Sequence, residues 1–183
     1  MRVNDAAPLE VVNDLYVEAC GELFAAYGLT AHLEPQEADR RDRNTAGYVS
    51  VVSATGERIR LLSIASIDAD LLARTHLLGV EHSSQRVLQD WCRELNNQLV
   101  GRLKNKLLEV GCDVRTGLPA LITGTDMVTV TQPDSETRRY FFASGHGCMT
   151  LALEVVLAPD FKLDQGKSPA DAGVVMHAGA VLF

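Results

Sequence analysis

Asp90-Trp91-Cys92-Arg93-Glu94-Leu95-Asn96-Asn97-Gln98-Leu99 can be laid over Asp14-Leu15-Tyr16-Val17-Glu18-Ala19-Cys20-Gly21-Glu22-Leu23 with Asp, an apolar residue, Glu and Leu kept in register. Both stretches lie in helical patterns. Over residues 9–27, Val11, Val12, Leu15, Ala19, Leu23 and Ala26 recur every three or four positions, and Gly28 follows where a helix C-cap sits. Around the second stretch, Ser83 or Ser84 is placed to N-cap a long helix that runs to about residue 110 and is closed by Gly111. Each helix is followed by short β-rich runs. The chain therefore reads as a worn duplication of one α-then-β unit.

Outward from these helices, residues 48–53 and 58–64 are β-branched runs on either side of Thr55-Gly56, which is a hairpin signal. Residues 68–78 read as a short helix. After the long helix come strand-like runs at 118–123, 127–131, 139–144 and 148–157, separated by Gly124, Gln132-Pro133-Asp134 and Gly145-His146-Gly147. Apolar residues alternate in 58–64 and 150–157, so the sheet has one covered face. The expected class is α+β: two duplicated α-then-β halves, with long helices packed on an antiparallel sheet. Beyond Pro159, residues 165–169 are linker-like, while 174–177 and 180–183 are candidates for a last strand.

The 183 residues are 46% apolar and 22% charged, the proportions of a single globular domain. A formal net charge of −7 opposes binding to a polyanion, and the basic stretch Asp39-Arg40-Arg41-Asp42-Arg43 mixes its signs, so nucleic acid is not expected as a partner. No apolar run approaches the roughly 20 residues needed to cross a bilayer. Met1-Arg2-Val3-Asn4-Asp5 lacks a signal peptide's apolar core, and a cytoplasmic protein without membrane association is expected. Cys20, Cys92, Cys112 and Cys148 show no CxxC spacing and read as small buried hydrophobes. His32, His76, His82 and His177 lack metal-ligand spacing, so no metal site is expected. There is no GxSxG elbow, GxGxxG loop or Walker A loop, and His146 between two glycines reads as a hairpin turn.

On the long helix, at about 100° per residue, Leu88, Trp91, Cys92, Leu95, Leu99, Leu103 and the stem of Lys106 gather on one side as core. Asp90, Glu94, Asn97, Gln98, Gly101, Lys104 and Asn105 fall on the other. Of the Asn96-Asn97 pair, only Asn97 points outward with Glu94. A Glu-x-x-Asn pair alone is an ordinary solvated face. Gly101 argues otherwise, because a mid-helix glycine costs about 1 kcal/mol relative to alanine and a solvated face has no use for it. A glycine beside a carboxylate and an amide clears space for another backbone or a bulky group.

The segment Glu94-Leu95-Asn96-Asn97-Gln98-Leu99-Val100-Gly101-Arg102-Leu103-Lys104-Asn105-Lys106-Leu107 resembles the E-x-x-N-x-x-x-G-x-x-K-x-x-L helix of the CheC/CheX/FliY chemotaxis phosphatases, with the CheX-like members closest. Gly117-Leu118-Pro119-Ala120-Leu121-Ile122-Thr123-Gly124 is similar to the strand that follows that helix in the family. The resemblance covers roughly residues 8–158 of one domain spanning 1–183, and leaves 159–183 as a C-terminal extension.

The resemblance implies a protein phosphatase that removes the phosphoryl group from the aspartate of a phosphorylated CheY-like receiver domain. An aspartyl phosphate is a reactive acyl phosphate, and the receiver holds its own Mg²⁺, so no cofactor of the visiting protein is implied. Asn97 would orient the attacking water, Glu94 would pair with the receiver's active-site lysine, and Gly101, Gln98, Lys104 and Asp90 would lie in the contact surface. Some relatives carry the Glu and Asn on both duplicated helices. Here the first helix has Glu18 but Gly21, so a single site is expected, and a homodimer is implied by the CheX-like members. The competing reading is a non-catalytic module of the same fold that docks a receiver domain, a receptor-modifying deamidase or a flagellar switch component.

Overall fold

The computed structural model describes residues 7–30, 32–34, 48–76, 84–123 and 135–163. The elements run α1 (Pro8–Ala26), β1 (His32–Glu34), β2 (Tyr48–Thr55), β3 (Ile59–Ile67), α2 (Ala69–Thr75), α3 (Gln85–Glu109), β4 (Arg115–Thr116), β5 (Ala120–Thr123), β6 (Glu136–Ser144) and β7 (Gly147–Leu157). Pro8 opens α1 at a position whose amide has no helical acceptor. The Ser84 hydroxyl accepts from the Val87 amide at the start of α3. Both long helices end in the same motif: Gly28 and Gly111 stand at φ +67° and +77°, and the amides of Leu29 and Cys112 reach back to the carbonyls of Phe24 and Leu107. The strand expected over 127–131 and those proposed beyond residue 163 lie outside the described residues.

All seven strands form one antiparallel sheet in the order β1-β6-β7-β3-β2-β4, with β5 also pairing β2. The β2–β3 and β6–β7 hairpins are the ones expected, and they join at the centre through β3 and β7, where Ala65 faces Leu151. The edges are exchanged. β1, from the first half, pairs with β6 of the second, while β5, from the second half, pairs with β2 of the first. The halves interlock rather than stand side by side, a feature local periodicity does not encode.

The helices cover the face carrying Val52, Leu61, Ala65, Ile67, Met149, Leu151, Leu153 and Val155, all buried. Their buried positions keep the duplicated register: Val12, Tyr16, Ala19, Cys20, Leu23 and Phe24 on α1 match Leu88, Cys92, Leu95, Asn96, Leu99 and Val100 on α3. Tyr16 packs against Tyr140, and Phe24 stacks on Phe142.

Asn96 is 1% exposed and belongs to the core stripe, as do Val100 and Leu107, whereas Trp91 is only half-buried. The Asn96 amide donates to the carbonyls of Ser50 and Ser63 at 3.0 and 3.2 Å, and its oxygen accepts from the Ser63 hydroxyl at 2.7 Å. Because that hydroxyl's one proton goes to Asn96, the Tyr16 hydroxyl, 2.6 Å away, is the donor to Ser63. Burial pushes the Tyr16 phenol well above its ordinary pKa, so it keeps the proton it donates. A polar residue in this position is stable because every group is paired. Asn96→Ala should therefore lower the unfolding free energy by about 2–3 kcal/mol. Thermal melts followed by circular dichroism measure the loss, and an unchanged melting temperature would contradict the anchor.

Candidate functional site

With Asn96 turned into the sheet, the rest of α3 is oriented. Glu94 is exposed, and Asn97, Gly101 and Lys104 are partly exposed along one side of the helix, at spacings of three, four and three. The Asn97 amide makes no hydrogen bond to a described residue, which leaves a donor and an acceptor open. A Cβ built on Gly101 would meet nothing within 4 Å, so no group among the described residues requires glycine there. Asp90, one turn earlier, pairs with Arg93 on its own helix. Lys104 has no ion pair among the described residues.

Gln98 is half-buried and is engaged by side chains of its own chain. Its nitrogen donates to Glu94 Oε1 at 3.0 Å, and its oxygen accepts from the Tyr27 hydroxyl at 2.8 Å. Tyr27 caps α1, which lies antiparallel to α3 and is tied to its far end by Lys106. That lysine is only 11% exposed and reaches Glu18 at 3.0 Å and Glu22 at 2.6 Å. Glu18, the counterpart of Glu94 in the first half, thus holds the two helices together. Gly21 stands where Asn97 stands. The α1 face has no equivalent amide, and the one-site expectation rests on that difference.

Other chemistry is scarce among the described residues. Burial pushes the Cys92 thiol up to about 12 and raises that of Cys20 as well, so both stay protonated and unreactive. No group of three His, Cys, Asp or Glu side chains among the described residues is arranged to hold a metal. His146 lies in the β6–β7 turn, where its amide donates to the Ser144 hydroxyl. No helix of the described residues is long and apolar enough to cross a membrane. Sequence reasoning placed Glu94, Asn97 and Gly101 together; it missed Tyr27, which was counted only as part of a helical pattern.

The sequence pattern of the family described as chemotaxis phosphatase CheX matches residues 48–143, just over half of the chain. No curated protein sequence matches it. Among solved structures, the chemotaxis protein CheX from Vibrio vulnificus superposes with a TM-score of 0.65 at 19% identity, covering 82% of this chain and 99% of that one. A chemotaxis protein CheX from Desulfovibrio desulfuricans gives 0.64 at 16% identity, covering 78% and 97%. The CheX-CheY-BeF3-Mg complex from Borrelia burgdorferi gives 0.57 at 12% identity, covering 82% and 98%. These likenesses show the α+β fold.

Gly101→Ala tests whether the glycine has an internal reason. With nothing near the added methyl, the substitution should stabilise the protein by about 1 kcal/mol through helix propensity alone. Denaturant unfolding measures it, and a destabilised variant would show that the chain itself needs the glycine.

Proposed function

We propose, from the premise that this chain belongs to the chemotaxis phosphatase CheX family, that it dephosphorylates the aspartyl phosphate of a CheY-like response regulator through the outward side of α3. The observation that carries this reading is the contrast between adjacent amides. Asn96 is fully bonded in the core, while Asn97 bonds no described residue and stands beside an exposed carboxylate and a glycine that no described group approaches. A solvated face has no need of that combination.

The reaction asks little of the visiting protein. Water attacks phosphorus in line with the acyl oxygen, the P–O bond to the receiver's aspartate breaks, and inorganic phosphate and a free carboxylate result. The receiver holds Mg²⁺, which neutralises charge on the phosphoryl oxygens. The Asn97 side-chain oxygen accepts a hydrogen bond from the water's O–H and leaves a lone pair of the water turned toward phosphorus, converting an encounter with bulk solvent into a positioned one. Glu94 pairs with the ammonium of the receiver's active-site lysine and sets the register. Gly101 lets the receiver's backbone come close.

These roles separate kinetically. Asn97 acts mainly in the transition state, so Asn97→Ala should keep most of the receiver affinity while losing roughly 10²-fold in maximal dephosphorylation rate, about 2.7 kcal/mol of barrier. Glu94→Lys should do the reverse and weaken binding to a beryllofluoride-activated receiver first, because like charges then meet. Decay of radiolabelled phospho-receiver and binding titrations measure the two effects. If Asn97→Ala is as fast as the wild type, the assigned mechanism is wrong. If the wild type binds a receiver tightly and leaves its decay unchanged, the chain is a binding module.

A further inference from the structure

We propose that Tyr27 and Gln98 are positioning residues for Glu94, through which the end of the first helix sets the docking carboxylate on the third; the inference rests on the function proposed above. Gln98 has one amide to share between two neighbours. The Tyr27 hydroxyl donates to its oxygen at 2.8 Å, which turns the amide nitrogen toward Glu94 Oε1 at 3.0 Å. The opposite orientation would set the amide oxygen against a carboxylate. The charge on Glu94 and the hydroxyl of Tyr27 therefore enforce the same rotamer from both sides. Glu94 Oε2 stays without a described partner, available to an incoming ammonium.

Tyr27 is itself held. Its amide bonds the Phe24 carbonyl, and its ring stands edge-on to Trp91 at 5.9 Å between centroids. The Trp91 indole donates to the Thr75 hydroxyl of α2 at 2.9 Å, and the His76 ring lies edge-on to the same indole at 5.3 Å. A long, exposed glutamate normally samples several rotamers, and ordering it at the moment of docking reduces affinity. The Tyr27–Gln98 pair orders it beforehand. Gln98 then serves docking by holding Glu94 rather than as a direct contact.

The test is a double-mutant cycle on the intact protein with Tyr27→Phe and Glu94→Ala, read as affinity for CheY-like receiver domains charged with beryllofluoride and Mg²⁺, and as turnover of the same receivers phosphorylated. Phenylalanine keeps the ring against Trp91, so the fold should survive, and circular dichroism checks it. Tyr27→Phe alone should weaken binding about fivefold, the worth of one hydrogen bond, with the maximal rate within about twofold. In the Glu94→Ala background it should change nothing. A merely structural tyrosine would lower the melting temperature and leave affinity intact. Unchanged affinity, or the same loss with and without Glu94, overturns this inference alone while the wild type remains active. A wild type that binds no receiver overturns the proposed function, and this inference with it.

Discussion

The Asn96 amide donates to the carbonyls of Ser50 and Ser63 on two adjacent strands, and a helix tied in that way cannot roll about its axis without breaking buried hydrogen bonds. At about 100° per residue, fixing position 96 toward the sheet turns 94 and 101 nearly opposite and 97 to the same outward side. The anchor and the candidate site are therefore one arrangement seen from two faces of α3. An apolar residue at 96 would permit small rotations of the helix; a hydrogen-bonded amide specifies one. This is a use of buried polarity in which specificity matters more than net stability, since each such bond contributes only about 1 kcal/mol.

The interlocked sheet supplies the second constraint. With β1 paired to β6 and β5 paired to β2, neither half can complete its own sheet, and the α1–α3 packing is fixed by both. The duplication has nonetheless diverged in its chemistry. Glu18 and Glu94 are both exposed, but Glu18 bonds Lys106 and joins the helices, whereas Glu94, at the same register, is bonded by Gln98 and pairs with no cation among the described residues. Tyr16 and Cys92 occupy equivalent buried positions, yet Tyr16 feeds the hydrogen-bond network that reaches Asn96 through Ser63, while the Cys92 thiol meets the backbone of Ser50. Near-symmetry in backbone has been combined with asymmetry in function.

Much of this was legible in the sequence, for physical reasons that differ by element. The two long helices follow from apolar spacing and their glycine caps, and the central hairpins follow from β-branched runs around short turns. The Glu94–Asn97–Gly101 line follows from helical geometry plus the cost of a mid-helix glycine. Helical geometry alone shows Asn96 only as pointing away from Asn97. Its place in the core was hidden because an asparagine adds no apolar signal, and its partners, Ser50 and Ser63, are more than thirty positions away in sequence. The exchange of edge strands was hidden for a related reason: strand order is set by long-range pairing, not local pattern. Tyr27 enters the sequence reading only as the last position of the first helical pattern, where nothing marks the hydroxyl that reaches Gln98.

On the function proposed above, the outward side of α3 is the surface that enters the receiver. A crystal structure of this chain with a beryllofluoride-activated CheY-like receiver tests it most directly. The expected complex has the Asn97 amide beside the beryllofluoride group, the Glu94 carboxylate on the receiver's lysine, and receiver backbone against Gly101. A receiver seated on another face, with Asn97 left in solvent, would contradict it.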